Sequence, residues 1–168
     1  RQPKFDLHFH TTASDGSCTP EQIIEEAQKI GLTTIAITDH DTISGVKACV
    51  AAGEKCGIRV IPGIELSAEV NTGKMHILGY GINPDNKEFN EIMRQLRDER
   101  VKRNKHIVEM LKVVYNIDIT LEEIHEVAKG ETVGKPHIAA VMVKNNYASS
   151  IEEAFHKYLS TAKIDKIS

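Results

Sequence analysis

At 168 residues, with 40% hydrophobic and 27% charged side chains, the chain fits one globular domain with a sizeable core. A formal net charge of -3 supplies no global basic field, which argues against dedicated duplex DNA binding and leaves small anionic substrates open. No apolar run reaches the ~18 residues that would span a bilayer and no signal peptide is visible. The three cysteines, Cys18, Cys49 and Cys56, lack Cys-x-x-Cys spacing, so a soluble cytoplasmic protein with reduced thiols is expected.

The first element is a short apolar strand, Phe5-Asp6-Leu7-His8-Phe9-His10, followed by Thr11-Thr12-Ala13-Ser14-Asp15-Gly16. Alternate side chains of a strand share a face, so His8 and His10 point together while Leu7 and Phe9 face the packing behind them. Two neutral imidazoles on one face can share a metal ion; two half-exposed polar residues would give the same pattern. Thr19-Pro20-Glu21-Gln22 opens a helix as a capping box with proline in its first turn, and that helix runs to Gly31. A second strand, Thr34–Thr38, leads into Asp39-His40-Asp41, and a second helix covers about 44 to 56 and stops at Gly57. The third apolar run, Arg59–Glu65, ends in a carboxylate, and a fourth, Lys74–Tyr80, carries His76. Four strands thus each deliver a histidine or an acid, donors suited to Mn, Fe, Zn or Mg. The strand and helix alternation through residue 62 predicts a parallel α/β sheet or barrel, with His8, His10, His40 and Glu65 at carboxyl ends of strands, where such folds collect function.

From Asn83-Pro84-Asp85 onward a long charged helix is predicted over 87–115, with Phe89, Ile92, Met93, Leu96, Ile107, Met110, Leu111 and Val114 as its apolar stripe. It opens an inserted helical subdomain. Thr120-Leu121-Glu122-Glu123 and Ser150-Ile151-Glu152-Glu153 are further capping boxes, and 136–144 is another helix. Arg97, Arg100 and Arg103, beside Arg94 and Lys102, form a stripe that either grips phosphate or is a solvated face partnered by Asp98 and Glu99. Gly134-Lys135-Pro136-His137 either presents backbone N–H groups, a lysine and an imidazole to an anion or is an ordinary helix start. His106, His125 and His156 lie in helices without metal-like partners.

Asp-Leu-His-Phe-His-Thr with Ser-Asp-Gly, then Thr-Asp-His-Asp, then Pro-Gly-Ile-Glu, resemble the first motifs of the polymerase and histidinol phosphatase (PHP) family over roughly residues 5–81. The helical insertion, the Met75–Tyr80 strand and the Gly-Lys-Pro-His turn extend the likeness to about residue 160. They resemble the branch of metal-dependent phosphoesterases acting on nucleoside 3′,5′-bisphosphates and 5′ ends of short RNA. The resemblance implies the N-terminal part of a distorted (β/α)7 barrel over 1–82, a helical insertion over 83–160, and a tail, 161–168, leading into further strands. It also implies two or three divalent metals, with Mn²⁺ expected ahead of Fe²⁺, Zn²⁺ or Mg²⁺. His8, His10 and Glu65 would serve one metal, Glu65 and His76 a second, and Asp15 with His40 a third. Lys135 stands where the branch usually has arginine, replacing a bidentate fork with a point charge. Family members continue with strands supplying a further histidine and a late Asp-x-His pair; 161–168 contains neither, so a longer protein is expected.

The expected activity is hydrolysis of a small phosphorylated nucleotide, or of short RNA, through a metal-bound hydroxide. Asp39 or Asp41 would orient ligand imidazoles, and Arg100, Lys135 and His137 would hold a second phosphate. The alternatives are a histidinol-phosphate-type phosphatase, a polymerase-associated exonuclease domain, a metal-dependent amidohydrolase, or a non-catalytic module stabilised by metal.

Overall fold

The computed structural model describes residues 4–70, 73–130 and 132–165. The chain divides into two compact units: Arg1–Leu96 with Gly130–Thr132, and Arg97–Lys129 with Val133–Ser168.

The first unit is a four-stranded α/β sheet in the order β1-β2-β3-β4, with β1 at Phe5–Phe9, β2 at Thr34–Ile37, β3 at Arg59–Val70 and β4 at Gly73–Tyr80. The helices α1 (Pro20–Lys29) and α2 (Val46–Cys56) make the crossovers that keep β1, β2 and β3 parallel. The Thr19 hydroxyl accepts from the Gln22 N–H at 3.3 Å, and the Gln22 side chain accepts from the Thr19 N–H at 2.9 Å, closing the expected capping box of α1. Ile23, Ile24 and Ala27 form the buried face of α1, while Ile35, Ala36 and Ile37 of β2 are fully buried, as a strand covered on both faces requires. Ile64 and Met93 complete the core of this unit, with Phe89 and Leu96 packed against it.

Two features depart from the strand pattern read from sequence. Glu65 does not end its strand: β3 continues to Val70 because it turns into an antiparallel hairpin with β4, pairing Gly63 with Tyr80 through to Val70 with Gly73. Parallel pairing nevertheless stops near Glu65, whose last parallel partner is His40 in an isolated bridge. The second departure is in β1, where the register with β2 slips between Asp6 and Phe9, so His8 sits at a bulge. Bulges re-aim side chains and gather beside functional sites.

The helix α3 runs over Lys87–Tyr115, as the sequence pattern predicts, and Asn116 ends it in the left-handed region at φ 54°. Ile92, expected in the apolar stripe, is instead 46% exposed. The second unit is all helical: the rest of α3, α4 (Leu121–Val127), α5 (Lys135–Lys144), α6 (Ile151–Ala154), a π-helical turn (Phe155–Leu159) and α7 (Ala162–Asp165). Its separate core gathers Ile107, Leu111, Ile124, Ile138, Met142 and Leu159. The Thr120/Glu123 capping box forms. At Ser150 only half of one does, because the Glu153 carboxylate reaches the Ser149 N–H at 2.6 Å rather than that of the N-cap. No helix among the described residues is long and apolar enough to cross a membrane.

Candidate metal centre

Glu65 is the hub of the first unit's polar face. It is 4% exposed, and four imidazoles surround it: His8 and His10 from β1 and its exit, His40 from the exit of β2, and His76 from β4. Its Oε2 lies 2.8 Å from His8 Nε2, 3.0 Å from His10 Nε2 and 3.8 Å from His40 Nδ1, while its Oε1 lies 2.6 Å from His76 Nδ1. The two oxygens of one carboxylate therefore address different imidazoles. Asp15 joins from the loop after β1, with Oδ1 3.4 Å from His10 Nδ1 and Oδ2 3.6 Å from His40 Nε2.

Three overlapping groups result, each with ligand atoms within 4.8 Å of one another: His8, His10 and Glu65; His10, Asp15 and His40; His40, Glu65 and His76. The six residues singled out in the sequence as metal ligands are those the fold brings together. The remaining histidines among the described residues, His106, His125, His137 and His156, belong to no such group.

The donor set fits divalent ions. His8 Nε2 and His10 Nε2 are 3.0 Å apart, and with Glu65 Oε2 they form a triangle with edges of 2.8, 3.0 and 3.0 Å. Bonds of ~2.1 Å at right angles place neighbouring ligands ~3.0 Å apart. His10 Nδ1 is buried and makes no hydrogen bond, although Asp15 stands nearby. The ring centroids of His8 and His10, His10 and His40, and His40 and His76 are 4.6–5.0 Å apart. Protonating these rings together would crowd like charges, whereas a metal ion takes them neutral and supplies the positive charge itself. Burial pushes the Glu65 carboxyl up, but the hydrogen bond with His8 and the fields of His40, His10 and His76 outweigh it and hold the group below its ordinary range.

Of the acids beside His40, expected from the sequence to orient imidazoles, Asp39 fastens the loop after β1 and Asp41 reaches β3. Asp39 is fully buried, and its carboxylate accepts from the Thr11 N–H and hydroxyl, both at 2.7 Å, and from the Ser14 hydroxyl at 2.6 Å. Asp41, with φ 51°, accepts from the Ser67 N–H at 3.0 Å, tying the end of β2 to β3. Thr11 and Ser14 shape the site, although the sequence assigned them no role; their signal was a run of hydroxyl residues, Thr11, Thr12 and Ser14, set between the ligands His10 and Asp15. The same loop is closed by Gly16, whose N–H reaches the Thr11 carbonyl at 2.9 Å and where a Cβ would stand 2.1 Å from the His10 carbonyl oxygen.

The residues expected to hold phosphate, Arg100, Lys135 and His137, all belong to the second unit. Arg100 stands beside Gly134, where an added Cβ would lie 3.5 Å from its Nη1. His137 Nδ1 accepts from the Gly134 N–H at 3.0 Å, so the neutral ring carries its proton on Nε2. The Lys135 ammonium donates to the Leu159 carbonyl at 2.8 Å, which commits one of its three donors to fastening the π-helical turn. On the outer part of α3, Arg94 pairs with Glu91 and Lys102 with Glu99, as a solvated face would.

Residues 6–167 match the PHP domain. The chain is 35% identical over 161 residues to the 5′-3′ exoribonuclease Rnm of Escherichia coli, and 28% identical over 158 residues to a 3′,5′-nucleoside bisphosphate phosphatase of Chromobacterium violaceum. These alignments take in 95% and 94% of this chain and 55% of each relative, so the chain spans about half their length. Among solved structures, an amidohydrolase of Chromobacterium violaceum with bound sulfate and no metal superposes with a TM-score of 0.87 at 28% identity, covering 95% of this chain and 56% of that one.

Proposed function

The chain belongs to the PHP domain family, and from that premise we propose that the protein is a divalent-metal-dependent phosphoesterase acting on small nucleotides, either nucleoside 3′,5′-bisphosphates or short oligoribonucleotides. The observation that carries this reading is Glu65, a buried carboxylate whose two oxygens face separate imidazole sets.

His8, His10 and Glu65 would hold one ion, Glu65 and His76 a second, and Asp15 with His40 a third. The mixed nitrogen and oxygen donors suit Mn²⁺ first, with Fe²⁺, Zn²⁺ and Mg²⁺ as competitors. Bound ions of this kind neutralise charge on a phosphoryl group and activate water near neutral pH. The chain's own part is to hold the imidazoles in place and to keep Glu65 ionised between them. Arg100, Lys135 and His137 bind a substrate phosphate, the two cations through charge-assisted hydrogen bonds. The free thiols of Cys18, Cys49 and Cys56 suit a reducing cytoplasmic location.

An amidohydrolase reading has support in the likeness to the Chromobacterium violaceum structure. Its usual shared ligand is a lysine or carboxylated equivalent; here Glu65 stands between the ligand groups. The deciding experiment is release of phosphate from adenosine 3′,5′-bisphosphate and of mononucleotides from a 5′-phosphorylated RNA oligomer by the whole protein in Mn²⁺. Turnover of either, abolished by EDTA and restored by Mn²⁺, supports the proposal. Turnover of amide substrates alone would replace it.

A further inference from the structure

We infer that Asp39 is a positioning residue that sets the His10, Asp15 and His40 ligand group by bracing the loop after β1 through Thr11 and Ser14. The inference rests on the metal-centre reading above and adds the device that holds the ligands in place.

The three partners in the brace are each the chain neighbour of one ligand: Thr11 follows His10, Ser14 precedes Asp15, and Asp39 precedes His40. A single carboxylate therefore fastens the backbone beside all three. Its two oxygens accept three hydrogen bonds of 2.6–2.7 Å, a match for an acceptor-only group. Thr11 and Asp39 are fully buried and Ser14 is 1% exposed, so these bonds are shielded from competing water.

The loop is fastened from other sides as well. The Thr11 hydroxyl accepts from the Ala13 N–H at 3.0 Å while donating to Asp39, and the Thr132 N–H donates to the Ala13 carbonyl at 3.2 Å. Gly45 leaves the room the brace needs: a Cβ there would stand 2.8 Å from Thr11 Oγ1 and 3.0 Å from Asp39 Oδ2. Asp39 is also anchored to the hub, since its carbonyl accepts from the Glu65 N–H at 3.1 Å. A ligand carried on an unbraced loop would have to be ordered by the metal at the expense of binding free energy.

The test measures Mn²⁺ binding calorimetrically on the whole protein, together with thermal unfolding in EDTA, for wild type, Asp39→Asn, Ser14→Ala and Ile24→Val. Ile24→Val thins the same core from α1 without altering the brace. The expected result is that Asp39→Asn and Ser14→Ala weaken at least one Mn²⁺ equivalent by about ten- to hundredfold, as loss of groups supporting metal ligands does. Ile24→Val should keep wild-type affinity despite lower stability. Wild-type affinity in both Asp39→Asn and Ser14→Ala would overturn the brace while leaving the metal centre standing. So would an affinity loss in Ile24→Val that tracks its loss of stability. A wild-type protein that takes up no metal would overturn the metal-centre reading and the brace with it.

Discussion

His76 Nδ1 lies 2.6 Å from Glu65 Oε1, the carboxylate oxygen not shared with His8 and His10. The contact comes from the β3–β4 hairpin: Ser67 pairs with His76 and Glu65 with Leu78, so Glu65 and His76 are diagonal neighbours on one face of the ladder. Parallel pairing alone brings Glu65 to His40; the hairpin is what adds a further imidazole on the carboxylate's other side.

Arg100→Ala should raise the KM for adenosine 3′,5′-bisphosphate by about tenfold or more, the scale of a charge-assisted hydrogen bond. Hydrolysis of an aryl phosphate carrying a single phosphate should change little. Steady-state kinetics on both substrates checks this, and equal effects on the two would remove Arg100 from substrate binding.

Glu153 should make stability depend on acid. Its carboxyl is held down at about 2 by hydrogen bonds first from Lys157 and then from Ser149, against an ordinary value of 4.5. A group depressed on folding stabilises the native state above its unfolded pKa and loses that contribution as pH falls through its folded value. The relevant window therefore runs from 4.5 down to about 2. Lys157 is raised above its ordinary 10.5 by the same hydrogen bond, so its contribution is full below that value and fades above it. Lys157 is exposed and Glu153 only partly buried, so the effect is small. Comparing melting temperatures of wild type and Glu153→Gln between pH 5 and pH 2, taken as roughly the span over which paired carboxylates titrate, should show a shallower acid decline in the variant. Parallel curves would contradict the assignment.

Thiol reactivity should separate the cysteines. Burial, with the fields of Asp39 and Glu21 adding to it, pushes the Cys49 thiol up to about 12, and the residue is fully buried in α2. Cys56, at the end of the same helix, is exposed. Because the thiolate is the reactive species, iodoacetamide near pH 8 should label Cys56 and spare Cys49 until the protein unfolds. Peptide mass spectrometry reads the order directly, and equal labelling of the two in the native state would be the contrary result.

Much of this was legible in the sequence for physical reasons that can be named. Helix ends were marked by local chemistry: the Thr19 and Thr120 capping boxes, and the glycine at 57, whose φ of 70° ends α2. The ligand residues were visible because His8, His10, His40 and Glu65 interrupt apolar strands with groups that burial disfavours. The direction of β4 was not read, because a strand's own pattern does not state its partner's direction, although Asn71-Thr72-Gly73 has turn chemistry. The bulge at His8 left no mark in residue type. Asp39 was noticed for its position beside His40, but its partners lie 25 and 28 residues away, and only the parallel pairing of β1 and β2 brings them to it.

The most direct test of the account is metal content of the whole protein by elemental mass spectrometry, in wild type and in Glu65→Gln, after purification with Mn²⁺. A shared carboxylate predicts at least two ions in the wild type and the loss of more than one on this single substitution, with phosphate release abolished. Retention of all ions in Glu65→Gln, or a wild-type protein that carries none, would contradict a metal centre organised around Glu65.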